Sequence, residues 1–70
     1  MLTTPLDVWF RFESDEDEIP SHEANTFRTE DGYRVEWYHA DVGLVSTVDF
    51  DTYPQARAWY AANGYQDFTA

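Results

Sequence analysis

The stretch TFRTEDGYRVEWYHADVGLVSTVDF, residues 26–50, predicts a meander of three β-strands joined by two tight turns. Strand-forming residues alternate with polar ones between the turns, which is the period of a strand with one buried face. At the first turn we expect a three-residue loop with Gly32 in the left-handed conformation and a bulge beside it. That loop predicts the pairs Thr29–Tyr33 and Phe27–Val35.

The second turn, residues 40–43, extends the same face across the next strand. We expect it to pair His39 with Leu44, Trp37 with Ser46, Val35 with Val48 and Tyr33 with Phe50. Phe27, Tyr33, Val35 and Trp37 then share the inner face. The opposite, solvent-facing side carries Arg34, Glu36, Tyr38, Val45, Thr47 and Asp49.

An additional strand precedes the meander, because apolar and polar residues also alternate over residues 6–13. The alternation predicts that Leu6, Val8, Phe10 and Phe12 point inward and that Asp7, Trp9, Arg11 and Glu13 point outward. Residues 13–18 include five acidic side chains, and we expect the whole segment 13–25 to be a solvated loop.

Residues 53–62 are typical of a helix that begins after Asp51 or Thr52 and ends at Asn63-Gly64. Its sheet-facing positions are predicted to be Tyr53, Ala56, Trp59, Tyr60 and Asn63. Residues 65–68 can add a short closing strand. The sequence therefore predicts a single acidic α+β domain over residues 1–70, with a four- or five-stranded antiparallel sheet and one C-terminal helix packed on one face.

Composition favours a folded domain and excludes several classes of protein. Hydrophobic residues make up 43% of the chain and include three Trp, five Tyr and five Phe, which is too apolar for generic disorder. Cysteine is absent, so stability must come from packing and hydrogen bonds. Residues 1–7 lack the features of a secretory signal, and no long apolar run is present, so we expect a cytoplasmic protein.

Charge is the most unusual property of the sequence. Fourteen Asp and Glu residues stand against four Arg and no Lys, for a formal net charge of −10. Like charges at this density oppose the compact state, so function or environment must explain them. Nucleic acid and anionic membranes are consequently poor partners. Two explanations stay open, namely attraction to a basic partner surface and adaptation to high salt.

The sequence lacks the residue spacing that known catalytic and metal-binding motifs require. Counted from Asp15, an EF-hand loop would need glycine where Pro20 stands, and a zinc-protease helix opened by His22-Glu23 would need histidine where Thr26 stands. A sheet of this size offers little room for a cleft that could perturb two carboxylates. His39 is more typical of a hairpin edge than of a general base. We expect no enzyme activity, no metal site and no cofactor.

The remaining signal is the distribution of negative charge over one surface. Such a surface can occupy a groove built for phosphates, with charge steering the encounter. Trp9 and Tyr38 are predicted to lie on outer faces, where an exposed aromatic ring favours an interface. The predicted partner-binding residues are Glu13, Asp15, Glu16, Asp17, Glu18, Glu30, Asp31, Glu36, Trp9 and Tyr38.

The chain resembles small acidic inhibitors encoded by phages. The resemblance rests on its size, the acidic run at residues 13–18, the absence of Lys and Cys, and a predicted compact sheet with one helix. Anti-CRISPR proteins and other DNA mimics belong to this type. The resemblance covers the whole chain and involves no family-specific motif. It implies an inhibitor in the host cytoplasm that occupies the site on a Cas effector complex where target DNA binds.

The sequence thus predicts a non-enzymatic inhibitor that binds a basic nucleic-acid-binding protein or complex, as a monomer or weak homodimer, without contacting nucleic acid or membrane. The alternative is a small protein-interaction domain of a salt-loving organism, in which the acidity serves solubility. These two hypotheses differ in the salt that the fold requires, because only the second predicts unfolding at low salt.

Overall fold

The computed structural model describes residues 4–14 and 16–69, and within them lie five strands and one helix. These are β1 (Trp9–Arg11), β2 (His22–Arg28), β3 (Tyr33–His39), β4 (Gly43–Phe50), α1 (Tyr53–Ala62) and β5 (Gln66–Asp67). All neighbouring strands pair antiparallel in the order β4-β3-β2-β1-β5. Helix α1 packs on one side, here called the helix face, and the other side is the open face. The α+β class with a C-terminal helix is confirmed.

The hairpin of β3 and β4 has the predicted register over most of its length. Tyr33 pairs with Phe50, Val35 with Val48 and Trp37 with Ser46, as expected. The predicted pair of His39 with Leu44 is wrong, because an irregularity between Trp37 and Tyr38 moves Gly43 opposite His39. Gly43 has a φ of 89°, a conformation that glycine adopts without steric cost.

The hairpin of β2 and β3 differs from the prediction by one residue. Arg28 pairs with Tyr33 and Thr26 with Val35, in place of the expected pairs Thr29–Tyr33 and Phe27–Val35. A shift of one residue exchanges the two faces of a strand. Thr26 is therefore fully buried on the helix face, whereas Phe27 lies on the open face and is partly exposed.

Gly32 has a steric role at this turn that differs from the one we expected. Among the described residues only Gly43 and Gly64 have positive φ, so the prediction of a left-handed Gly32 is wrong. A Cβ atom at Gly32 would collide with the backbone carbonyl oxygen of Phe50. Glycine is needed here because the backbone that follows β4 crosses the turn at close range.

Residues 22–25 belong to the sheet, which corrects the prediction of a loop over residues 13–25. Strand β2 begins at His22, and β1 pairs with it through Trp9–Ala24, Phe10–Glu23 and Arg11–His22. Ala24 is fully buried and Asn25 is 8% exposed. Polar residues at 21–25 suggested a loop, but a strand between two neighbours obtains its hydrogen bonds from both of them.

The inward and outward faces of β1 are opposite to the prediction. Trp9 is only 6% exposed, and its ring stacks on that of Tyr60 with centroids 4.3 Å apart. Phe10 and Phe12 instead lie on the open face beside Phe68, with Phe10–Phe68 and Phe12–Phe68 centroid distances of 5.1 and 6.2 Å. Both faces of β1 carry aromatic side chains, so the alternation alone does not show which face is buried. Contact with α1 determines it.

Helix α1 has the predicted ends. Thr52 is the N-cap and forms a capping box with Gln55, and Asn63 closes the C-terminus before Gly64. Ala56 and Tyr60 are fully buried against the sheet, while Tyr53 and Trp59 pack at the rim of the core. Asn63 is exposed, so its predicted place on the sheet-facing side is wrong. The expected closing strand is confirmed as β5, which pairs with β1.

A buried polar network joins the N-terminal segment to β2 and α1. Asp7 is 2% exposed, and its carboxylate accepts hydrogen bonds from the backbone N–H of Thr26 and the hydroxyl of Tyr53, both at 2.7 Å. The hydroxyls of Thr26 and Tyr60 are bonded at 2.9 Å. Asp7 therefore stabilises the fold, and the prediction that it points outward is wrong.

Candidate partner-binding surface

The loop between β1 and β2 presents the main group of carboxylates. Glu13, Glu16, Asp17 and Glu18 are all exposed, and Asp15 lies outside the described residues. The loop is closed at its base by a hydrogen bond of 2.9 Å from the Ser21 N–H to the carbonyl of Arg11. Within it, the N–H of Asp17 donates to the carbonyl of Ser14 at 3.1 Å. The sheet thus fixes both ends of the acidic loop.

Few cations neutralise these acids. In the part of the chain that the structure describes, the salt bridges are Arg34–Asp49 at 2.8 Å and Arg57–Asp67 at 3.9 Å. Hydrogen bonding to Arg34 lowers the pKa of Asp49, and the same bond raises the pKa of Arg34. The described carboxylates of the loop have no arginine within salt-bridge distance, so the loop presents uncompensated negative charge to solvent.

Glu30 and Asp31 lie at the other end of the sheet from this loop. They belong to the turn that follows β2, whereas the acidic loop precedes β2. Seven residues of β2 separate the two groups, which is roughly 20 Å at about 3.3 Å per residue. The two predicted groups are therefore not neighbours, and the 39 Å long axis of the molecule accommodates both.

A diagonal row of carboxylates on the open face bridges this distance. Glu23 pairs with Tyr38, two positions from Glu36, and Glu36 pairs with Thr47, two positions from Asp49. Diagonal neighbours in an antiparallel sheet have Cβ atoms about 7 Å apart. This acidic diagonal, Glu23–Glu36–Asp49, runs from the acidic-loop end of the sheet to the end that carries Glu30 and Asp31. Its last member, Asp49, is held in the salt bridge with Arg34.

Tyr38 lies on the open face, as predicted, and a hydrogen bond to Glu36 holds its side chain. Its hydroxyl donates to Oε1 of Glu36 at 3.1 Å, and both residues are partly buried. Burial raises the pKa of Tyr38, and the hydrogen bond to Glu36 and the charges of Glu36 and Glu23 raise it further. The carboxylates of Glu23 and Glu36 therefore both lie near the Tyr38 side chain.

Trp9 has no place in this surface, which corrects its assignment as a partner-binding residue. Its ring is buried between β1 and α1, and the guanidinium of Arg57 lies 5.6 Å from its centroid. The aromatic side chains that the open face does carry are Phe10, Phe12, Phe27, Tyr38 and Phe68. Sequence reasoning placed Phe10, Phe12 and Phe27 in the core because the hydrophobic alternation fixes the spacing of a face but not which face α1 covers.

His22 and His39 are brought together by the pairing of β2 with β3, which sequence spacing did not indicate. Their ring centroids are 4.9 Å apart in an edge-to-face arrangement. Ser21 Oγ is within hydrogen-bond distance of the Arg11 carbonyl, at 3.1 Å, and of Nδ1 of His22, at 2.8 Å. Nδ1 of His39 accepts from the N–H of Asp41 at 3.1 Å. Both imidazoles thus hold the strand ends and the adjacent turn.

Burial lowers the pKa of His22, and the neighbouring His39 and Arg11 lower it further against an opposing effect of Glu13. Across residues 4–14 and 16–69, no three or more His, Asp or Glu side chains are grouped so that they could hold a metal ion. Over the same residues, no helix has the length and apolar character needed to cross a membrane.

Comparisons of the chain with protein-family models, with curated proteins and with solved structures found no match.

Proposed function

We propose that this protein is a non-enzymatic inhibitor that binds the basic nucleic-acid-binding surface of a partner complex in place of the nucleic acid. The observation that carries the proposal is the acidic diagonal on the open face. Together with the acidic loop at one end and Glu30 and Asp31 at the other, it makes a path of carboxylates along the molecule, of which one, Asp49, is paired with Arg34.

The spacing of this path suits a groove that binds phosphates. Neighbouring Cβ atoms on the diagonal are about 7 Å apart, which is of the same order as the separation of successive phosphates along one nucleic-acid strand. Proteins bind phosphates chiefly through Arg and Lys side chains and backbone N–H groups. A carboxylate can accept the same hydrogen bonds as a phosphate oxygen, so a row of carboxylates can replace a row of phosphates.

The sheet supplies the rigidity that such a replacement needs. Glu23, Glu36 and Asp49 lie on three adjacent hydrogen-bonded strands, so their spacing is set before a partner is met. Preorganised groups lose less conformational entropy on binding than groups on a flexible chain. The net charge of −10 adds long-range attraction to any basic groove, which acts mainly on the association rate.

A competition pull-down tests the proposal. The tagged protein is incubated with lysate of a CRISPR-bearing bacterium at low and at high salt, with and without duplex DNA. We expect recovery of a nucleic-acid-binding complex that both DNA and salt displace. Recovery of a complex that duplex DNA fails to displace would contradict replacement of the nucleic acid.

A matched pair of variants tests the surface with the recovered complex. Glu16→Gln with Asp17→Asn removes two charges from the acidic loop, and Asp41→Asn with Asp51→Asn removes two charges beside β4. We expect the first pair to lower the association rate constant by roughly three- to tenfold, since peripheral charges act on encounter. The second pair should lower it less. Equal effects would show that only net charge matters.

The salt dependence of folding separates this proposal from adaptation to high salt. An inhibitor that acts in an ordinary cytoplasm must be folded at physiological ionic strength, where charges more than about 8 Å apart are screened. We expect cooperative thermal unfolding, followed by circular dichroism, in dilute buffer and at physiological salt. A fold that forms only at molar salt would favour the salt-adapted interaction domain.

A further inference from the structure

The open face carries a carboxylate between two aromatic rings. Glu23 pairs with Phe10 on one side and with Tyr38 on the other, so the three side chains form one row across β1, β2 and β3. Directly paired residues have Cβ atoms about 5 Å apart. Glu23 is exposed and the two rings are partly buried, so both rings border the carboxylate while it stays open to solvent.

This row borders a small depression at the acidic-loop end of the sheet. The depression has a volume of about 150 Å³, and its lining includes Phe10, Glu23 and Tyr38 together with Pro20, His22 and His39. Small-molecule sites usually measure at least roughly 300 Å³. A single side chain from a partner therefore fits the depression better than a cofactor or a free metabolite.

The charge at the depression selects a cation. Glu36 accepts from the Tyr38 hydroxyl and stands diagonal to Glu23, so two carboxylates lie beside one ring. Among the described residues, Arg34 and Arg57 are engaged with Asp49 and Asp67. Arg11 pairs with His22 on the helix face, away from Glu23. No arginine of the described chain lies within salt-bridge distance of Glu23.

We propose that this depression, the Phe10–Glu23–Tyr38 notch, takes one arginine side chain from a basic segment of the partner. A guanidinium is planar, bonds a carboxylate through two N–H groups and stacks on aromatic faces. A lysine ammonium can satisfy the charge but gains less from the rings. The inference rests on the proposed function, because arginines that bind phosphate are the partner groups that the acidic path would meet.

Peptide selectivity tests the notch. Labelled oligo-arginine and oligo-lysine peptides of equal length are titrated with the intact protein and followed by fluorescence anisotropy. We expect oligo-arginine to bind the wild type more tightly, and Glu23→Gln to reduce that preference by roughly three- to tenfold. Glu30→Gln is the matched control, since it removes the same charge at the other end of the sheet. It should weaken both peptides equally and leave the preference intact.

The ring contribution is tested by Tyr38→Leu, which keeps the charge and should also reduce the preference for arginine. Stacking further predicts upfield NMR shifts of the arginine δ protons when oligo-arginine binds the wild type, and loss of those shifts in Glu23→Gln. Equal affinities of the wild type for the two peptides, or a preference that Glu23→Gln leaves unchanged, would overturn the notch.

These outcomes separate the notch from the proposed function. Salt-sensitive binding of both peptides with equal affinity would remove the notch and leave the acidic surface intact. Failure of both peptides to bind in dilute buffer would contradict both the notch and attraction to a basic partner.

Discussion

The hydroxyl of Tyr53 donates a 2.7 Å hydrogen bond to Oδ2 of Asp7, 46 residues earlier in the chain. The other carboxylate oxygen of Asp7 accepts from the backbone N–H of Thr26. One buried acid thus links the N-terminal segment, β2 and the first turn of α1. Burial, with the bond to Asp7 and its negative charge, raises the pKa of Tyr53 to about 12. The neutral hydroxyl is therefore the form that the fold favours.

Replacing Asp7 with alanine should destabilise the protein by about 3 kcal/mol, because the buried N–H of Thr26 and the partly buried hydroxyl of Tyr53 lose their acceptor. Asp7→Asn should cost less, since its amide oxygen can still accept from Thr26. Chemical denaturation measures both free energies of unfolding. Asp17→Ala is the control, because it removes an exposed acid and should change stability by less than about 0.5 kcal/mol. A cost for Asp7→Ala no larger than for Asp17→Ala would contradict the role of the network.

Trp9→Ala should lower stability by roughly 3–5 kcal/mol, the usual cost of removing a large buried aromatic side chain. Its ring stacks on Tyr60 and lies under Arg57, so the change empties the centre of the sheet–helix contact. Trp9→Phe retains a ring and should fold with a smaller loss. Urea unfolding followed by far-ultraviolet circular dichroism measures both variants. Wild-type stability of Trp9→Ala would contradict the burial of Trp9 in the core.

Gly32→Ala should destabilise the hairpin of β2 and β3 by about 1–3 kcal/mol, since the added methyl group forces a shift of the backbone near Phe50. Glu30→Ala in the same loop adds no such contact and serves as the control. Thermal unfolding compares the two variants with the wild type. Equal midpoints for all three would exclude the close approach of Gly32 to the chain after β4.

Protonation of His22 should destabilise the fold as the pH falls. Its folded-state pKa is lowered, chiefly by burial, so its contribution is fully present above the unfolded pKa of about 6.5. That contribution is lost as the pH falls through the folded value. His22→Gln should therefore show a smaller decrease of melting temperature than the wild type between neutral and mildly acidic pH. Parallel pH profiles of the two proteins would contradict this linkage.

The features that were predicted correctly from the sequence depend on neighbours along the chain. Helix α1 has its predicted ends because Thr52, Gln55 and Gly64 act within one turn of the helix termini. Three predicted pairs of the β3–β4 hairpin are confirmed because a short turn holds two alternating segments in one register. The α+β class follows from these elements. Exposure of the described carboxylates in the acidic loop also follows from local composition.

Which face of each strand is buried depends on packing against the helix. Alternation fixes which residues share a face, but contact with Tyr60 of α1 selects Trp9 and Thr26 for the core and leaves Phe10 and Phe27 on the open face. Hydrogen bonds from Thr26 and Tyr53 hold Asp7 in the interior. Strand pairing between distant segments then creates the acidic diagonal and places Glu23 between Phe10 and Tyr38. These relations depend on non-local packing, because residues far apart in sequence become neighbours only when the sheet and helix assemble.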